Sequence, residues 1–117
     1  MTNRSVIFAA CLLICAVAAP AARAEWPDRP IRWIVGFGPG GANDLIARFA
    51  AEGVSKRLGQ PIVIENRPGA GAVIATAFVA HSAPDGYTFL VGAASTITNS
   101  LMLKDLPYAD SDLVPVG

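Results

Sequence analysis

The sequence predicts an α/β fold, a doubly wound parallel sheet, from three observations. Short apolar runs rich in β-branched residues alternate with longer segments of helical periodicity. Turns rich in glycine and proline separate these segments. The order strand, helix, strand, helix, strand at this spacing implies parallel strands joined by right-handed crossovers. With 117 residues, 53% of them hydrophobic, the chain can form one small globular unit.

Residues 1 to 24 have the composition of a secretory signal peptide. Arg4 is followed by an uninterrupted apolar run over residues 6 to 19, and residues 22 to 24 form an Ala-x-Ala exit. A run of 14 residues falls short of the about 20 that span a bilayer, which favours cleavage after Ala24 over a membrane anchor. We therefore expect residues 25 to 117 to be exported to the periplasm, without insertion into the membrane.

The cysteine and charge content exclude several kinds of site. Cys11 and Cys15 both lie in the predicted leader, so the mature chain has neither a disulfide nor a thiolate metal site. Lipidation of Cys15 is disfavoured because the bulky Ile14 precedes it. After Ala24 the chain has seven basic and nine acidic residues and contains no basic run, so no nucleic-acid partner is expected. An anionic ligand must then be held by local geometry rather than by net charge.

The first predicted strand and helix flank a glycine turn. After an extended lead-in with two prolines, residues 31 to 37 form a predicted strand buried on both faces, and residues 38 to 41 break it. A helix is predicted over residues 42 to 58, with Asp44 spaced for an ion pair with Arg48, and it ends at Gly59. The apolar stripe of this helix, expected to face the core, consists of Leu45, Ile46, Phe49, Ala50, Val54 and Leu58.

The pattern then repeats twice. A second strand over residues 61 to 66 leads through a turn at 67 to 71 into an almost wholly apolar helix at 72 to 81. A third strand over residues 87 to 91 is followed by a loop of small residues at 92 to 95 and a short helix at 96 to 103.

In doubly wound sheets, ligands bind beyond the carboxyl ends of the strands, where the strand order reverses. Here that point lies between the loop after the first strand and the loop after the third. The first loop supplies unpaired N–H groups at a helix start and Asn43, while the third supplies Ser95, Thr96 and Asn99. Both loops are rich in hydrogen-bond donors and neither carries a cation. This combination suits a carboxylate held by amides and hydroxyls.

A dinucleotide site is the main alternative. Gly36, Gly38 and Gly41 satisfy GxGxxG between a strand and a helix, and Glu65 ends the second strand where a ribose-binding acid would lie. Pro39 inside the loop removes a donor, and nicotinamide cofactors are not normally supplied outside the cytoplasm, so this alternative is disfavoured.

Neither catalysis nor a metal or cofactor is predicted. His81, the single histidine, ends an apolar helix, where capping or packing is the common role, and Ser95 has no general base near it in the sequence. Asp44 could act as an acid, but a first-turn aspartate more often interacts with the helix start. Arg67 could hold an anion or bond locally to Glu65. We therefore do not expect an enzyme.

Four ordered segments resemble one family. FGPGGANDLIAR is similar to the Phe-x-Pro-Gly-Gly-x-x-Asp segment of the tripartite tricarboxylate transporter substrate-binding proteins, the Bug family of periplasmic receptors. GQPIVIENRPGAG, APDGYTFLVG and DLPY look like other N-terminal signatures of that family, in the same order and at comparable spacing. The resemblance implies a type II periplasmic binding protein (Venus flytrap) fold. Its two lobes would close on a small carboxylate and present it to integral-membrane permease subunits.

The resemblance also implies the ligand contacts, which in the family come from the loops after the first and third strands. On this sequence they fall on Phe37, Gly38, Pro39, Gly40, Gly41, Asn43, Asp44, Ala94, Ser95, Thr96 and Asn99. Gly38 stands where family members commonly have alanine, and Ser100 where proline is usual. Thr96 matches a variable position that helps to set ligand choice.

The resemblance sets the expected domain organisation, because family members are much longer. Residues 25 to 117 correspond to the N-terminal portion of lobe 1, without lobe 2 and without the return to lobe 1. We therefore expect a fragment with marginal stability and weak ligand binding when it is isolated. A truncated product without function is a third interpretation, beside the receptor and the nucleotide-dependent enzyme domain.

Overall fold

The computed structural model describes residues 25 to 116, and the predicted signal peptide lies outside these residues. Strand β1 is Ile31–Val35, helix α1 is Ala42–Leu58 and strand β2 is Ile62–Asn66. A 3₁₀ turn at Ala70–Ala72 leads into helix α2, Val73–Ala80. Strand β3 is Thr88–Val91, helix α3 is Ala94–Met102, and a second 3₁₀ turn covers Asp110–Asp112.

The predicted fold class is confirmed: the three strands form one parallel sheet in the order β2-β1-β3. In β1, Ile31 pairs with Ile62 and Val35 with Asn66 on one side, while Val35 pairs with Val91 on the other. The chain moves from β1 outward to β2 and then back across β1 to β3. The strand order therefore reverses at β1, and the three loops that follow the strands lie at one edge of the sheet.

The two crossover helices pack on opposite faces of the sheet. Trp33 of β1 shares a face with Val54 and Leu58 of α1, around an apolar cavity of about 360 Å³. Arg32, the preceding residue, faces α2, with its guanidinium carbon 5.3 Å from the ring centroid of Phe78. Because neighbouring residues of a strand point to opposite faces, these contacts place α1 and α2 on different sides. This is the arrangement that right-handed crossovers produce.

The centre of the sheet forms the core. Ile31, Ile34 and Val35 of β1 are at most 1% exposed, as expected for a strand covered on both faces. Each such side chain contributes about 1.5–3 kcal/mol through burial. Ala47 and Ala51 of α1 are buried with them. Small side chains at these two positions let α1 lie close to the sheet.

The prediction of which side chains of α1 face the core is wrong for the first half of the helix. Leu45, Ile46 and Phe49 are 59%, 64% and 84% exposed, whereas Asp44 and Ala47 are buried. The helix turns its small residues toward the sheet because Asp44 has hydrogen-bond partners there, and the large side chains consequently face away. In the second half, Val54 and Leu58 line the cavity over the sheet, as predicted.

The element boundaries differ from the sequence prediction by one or two residues at several places. β1 ends at Val35, two residues early, because Gly36 leaves the sheet to pack on Ala72. α2 begins only after the 3₁₀ turn. α3 begins at Ala94 instead of residue 96, so the third loop is shorter than predicted. Within residues 25 to 116, no helix has the length and hydropathy of a membrane span.

Candidate functional site

The glycine loop, residues 36 to 41, connects β1 to the start of α1 at the carboxyl edge of the sheet. Gly40 has a φ of +83°, in the left-handed region, and Gly41 precedes the helix in an extended conformation. The N–H of Gly41 donates to the carbonyl of Gly38 at 3.4 Å, which closes a turn. In the described residues the N-cap residue of α1, Gly41, makes no side-chain cap, and the unpaired N–H groups of a helix start can bind an anion.

Asp44, in the first turn of α1, is held entirely by groups of the chain itself. Its side chain is 2% exposed, and Oδ2 accepts hydrogen bonds from the N–H of Gly40 and from Nε of Arg48, both at 2.9 Å. Oδ1 accepts a third from Nδ2 of Asn66, also at 2.9 Å. The bonds from Arg48, Gly40 and Asn66, in that order, lower the pKa of Asp44 to about 2. The predicted pair with Arg48 is confirmed, and the carboxylate interacts with its helix start.

Asn66, the last residue of β2, lies beside both ends of the glycine loop. Its Nδ2 also donates to the carbonyl of Phe37 at 3.0 Å, and its Oδ1 accepts a hydrogen bond from Nη2 of Arg48 at 3.3 Å. Asn66 is not among the residues that the sequence predicted for the site. Its position at the end of a strand next to β1 is the feature from which it could have been predicted as a site residue.

The loop after β2, residues 67 to 72, lies at the same edge of the sheet. The sequence did not predict it as part of the site either. Ala70, Gly71 and Ala72 have φ values of +47°, +62° and +74°, which is unusual for alanine. The buried side chain of Ala72 packs against Gly36. The carbonyl of Gly71 accepts a hydrogen bond from Nδ2 of Asn99 in α3 at 2.8 Å. This loop therefore contacts both the glycine loop and α3.

The start of α3 provides hydroxyl groups with different roles. Oγ1 of Thr96, the third residue of α3, accepts a hydrogen bond at 3.3 Å from the N–H of Ala93, the N-cap residue, as in one half of a capping box, and so caps the helix. The Oγ of Ser95 is buried and has no hydrogen-bond partner in the part of the chain that the structure describes. A buried hydroxyl without a partner is costly, so such a group is a candidate for contact with a ligand.

The predicted ligand-binding residues fall into two sets at this edge. Asp44, Thr96 and Asn99 already make hydrogen bonds within the chain. The second set comprises Phe37, Gly38, Pro39, Gly40, Gly41, Asn43, Ala94 and Ser95. Backbone groups of Phe37, Gly38, Gly40 and Gly41 are also hydrogen-bonded within the chain, whereas the Oγ of Ser95 has no partner in the described residues. Among residues 25 to 116, no group of three or more His, Cys, Asp or Glu side chains could hold a metal ion.

Glu65, the acid considered for a ribose, has two arginine partners instead. Arg32 donates to its Oε2 and Arg67 donates to its Oε1 at 3.0 Å. The bond from Arg32 and, more weakly, that from Arg67 lower the pKa of Glu65 against the opposing effect of burial. The guanidinium carbon of Arg67 lies 3.7 Å from the ring centroid of Phe78. Arg67 therefore makes the local bond that the sequence allowed, and Glu65 is not free to bind a ribose.

A sequence model of the tripartite tricarboxylate transporter family receptor matches residues 46–117. Among curated relatives, a UPF0065 protein of Bordetella pertussis is 50% identical over 103 residues, covering 86% of this chain and 32% of that protein. Protein BugT of the same organism is 40% identical over 120 residues, covering 100% of this chain and 37% of its own length. The chain thus spans about a third of the length of these relatives.

Solved structures give the same result. A structure described as a periplasmic transporter is 45% identical, with a TM-score of 0.67 over 71% of this chain and 28% of the other. MatC of Rhodopseudomonas palustris with bound malate is 46% identical, with a TM-score of 0.54 over 56% and 22% of the two chains. Rpa4515 of R. palustris with adipate is 42% identical, with a TM-score of 0.55 over 56% and 22%. The fold is thus a partial lobe of a periplasmic binding protein, and the chain belongs to the tripartite tricarboxylate transporter receptor family.

Proposed function

We propose that this chain forms the N-terminal portion of lobe 1 of a periplasmic receptor that binds a small carboxylate for a tripartite tricarboxylate-type transporter. The receptor family and the malate and adipate in two similar structures support this class of ligand. Both of those ligands carry two carboxylates. Export through the signal peptide at residues 1 to 24 and delivery to membrane permease subunits belong to the same proposal.

One observation supports the proposal: N–H groups at a helix start and the unpaired hydroxyl of Ser95 follow β1 and β3, at the edge of the sheet where the strand order reverses. The uncapped start of α1 and the unpaired Oγ of Ser95 both lie there. The nearby cationic side chain of Arg48 is bonded to Asp44, and Arg67 is bonded to Glu65. An anion at this edge would therefore be held by N–H and O–H groups, a donor set that suits a carboxylate.

Ligand titration followed by nuclear magnetic resonance tests the proposal. The ¹⁵N-labelled 117-residue chain is titrated to millimolar concentrations of malate, adipate and NAD, because weak binding is expected from one part of a lobe. We expect malate or adipate to shift the amide resonances of the glycine loop and of the first turn of α3. Shifts with NAD alone would contradict the receptor, and shifts with none of the three would favour a product without function.

A pair of serine variants tests the role of the hydroxyl. Ser95→Ala should weaken carboxylate binding about tenfold or more, because a hydrogen bond to a charged group contributes about 1.5–3 kcal/mol. Its stability should not fall, because the Oγ of Ser95 has no partner to lose within residues 25 to 116. Ser100→Ala is the control, since this hydroxyl in the same helix already donates to the carbonyl of Ile97 at 2.8 Å. Equal affinities in the two variants would exclude Ser95 as a ligand contact.

A further inference from the structure

We propose that Asn66 is a positioning residue for the ligand, acting with Arg48 to fix the glycine loop in its binding conformation and to turn the charge of Asp44 away from an incoming anion. The effect on binding rests on the proposed carboxylate function, whereas the effect on the loop does not.

The glycine loop has more conformational freedom than its sequence can restrict. Gly36, Gly38, Gly40 and Gly41 have no side chains that limit their backbone, and Gly40 adopts a positive φ. A loop of this composition does not select one conformation by itself. Contacts from outside the loop must hold it, and the side chain of Asn66 is bonded near both of its ends.

The side chain of Asn66 has the hydrogen-bonding groups that this position requires. Its Nδ2 faces two acceptors, the carbonyl of Phe37 and Oδ1 of Asp44, while its Oδ1 faces the donor Nη2 of Arg48. A primary amide supplies two donors and an acceptor in this arrangement. A carboxylate of the same shape would offer no donor to Phe37 and would repel Asp44.

The same contacts control the charge of Asp44. This residue lies in the first turn of α1, where an unshielded carboxylate would repel an anion at the helix start. Hydrogen bonds from Arg48, Asn66 and the N–H of Gly40 occupy both of its oxygens. Arg48 links the other two side chains, since its Nε donates to Asp44 while its Nη2 donates to Asn66. The three side chains therefore keep the negative charge paired inside the protein.

The test compares Asn66→Asp with the control Ser55→Ala. Ser55 lies in the last turn of α1 and also makes a part-buried side-chain bond, from its Oγ to the carbonyl of Gln60 at 2.9 Å. The readouts are the amide resonances of Gly38, Gly40 and Gly41, the titration of the Asp44 carboxyl carbon, and malate titration. A purely structural loss of stability would not move the first two in a folded sample.

For Asn66→Asp we expect shifted glycine resonances, a raised pKa of Asp44 and malate binding weakened at least tenfold. For Ser55→Ala we expect a lower melting temperature with none of these changes. Arg48→Lys, which has one donor group in place of Nε and Nη2, provides a second variant if Asn66→Asp does not fold, and it should shift the same resonances. Glycine resonances and an Asp44 titration like those of the wild type, in the variants that fold, would overturn the positioning role.

The same measurements separate the positioning role from the proposed function. If malate leaves the wild-type chain unchanged but Asn66→Asp alters the loop, the ligand is wrong and the positioning of the loop stands. If malate binds the wild type and Asn66→Asp equally, the receptor function stands and the role of Asn66 in binding is excluded.

Discussion

A Cβ atom at Gly36 would lie 2.4 Å from the Cβ atom of Ala72 and 3.1 Å from its Cα atom. The end of β1 and the loop after β2 therefore meet at a distance that only glycine permits. Ala72 cannot move away easily, because it is 3% exposed and has a positive φ at the end of the 3₁₀ turn that precedes α2. This contact brings together the glycine loop and the loop after β2 at the carboxyl edge of the sheet.

Gly36→Ala should destabilise the chain by about 1–3 kcal/mol, the range for overpacking a core contact. Gly53→Ala is the matched control, because Gly53 lies inside α1 and a Cβ there meets nothing within 4 Å. That change should stabilise the chain by about 0.5–1 kcal/mol, since alanine loses less backbone freedom in a helix. Urea unfolding measures both, and an unchanged midpoint for Gly36→Ala would contradict the contact.

Gly40→Ala and Gly38→Ala should differ in stability although both lie in the glycine loop. Gly40 has a φ of +83°, so an L-residue there costs about 1–2 kcal/mol. Gly38 has open space for a Cβ and no positive φ, so its substitution should be nearly neutral. Equal melting temperatures for the two variants would show that the loop has another conformation.

Asp44→Asn should flatten the dependence of stability on pH in acid. The pKa of Asp44 is about 2 in the folded chain against 3.8 for an ordinary aspartate, so its contribution is complete above about pH 4 and is lost as pH falls toward 2. The variant should be less stable than the wild type at pH 7 and should lose less stability across this window. Glu52→Gln, which removes an exposed pair with Lys56, is the control and should have little effect. If the stability of Asp44→Asn depended on pH as steeply as that of the wild type, the lowered pKa of Asp44 would be contradicted.

Thr96→Val should destabilise the chain by about 1 kcal/mol, because it leaves the N–H of Ala93 without its cap while keeping the shape of the side chain. Thr96→Ser should restore most of this loss, since it retains the oxygen. Thr98→Val is the control, because the Oγ1 of Thr98 is exposed and donates only a long 3.4 Å bond. Thermal unfolding distinguishes the three variants. Similar losses for Thr96→Val and Thr98→Val would indicate that the cap contributes nothing.

The sequence predicted those features of the fold whose cause lies in residues close together in the chain. The bounds of α1 follow from Gly41 and Gly59, the latter at a φ of +69° with its N–H bonded to Ser55, and the alternation of strands and helices gives the parallel sheet. The features it did not reveal depend on residues far apart in the chain. The inward turn of Asp44 needs Asn66, and the early end of β1 needs Ala72. Periodicity alone gave α1 an apolar face whose first three large side chains, Leu45, Ile46 and Phe49, lie outside the core.

The bond from Asn99 to Gly71 has a consequence for the energetics of recognition. Asn99 fixes the loop after β2 to α3, and Ala72 of that loop abuts Gly36 at the start of the glycine loop. The glycine loop, the loop after β2 and α3 are thus joined within the chain itself. If a ligand binds at this edge as proposed, it meets a surface whose backbone has already lost much of its conformational entropy during folding, so little of the binding free energy is spent on ordering it.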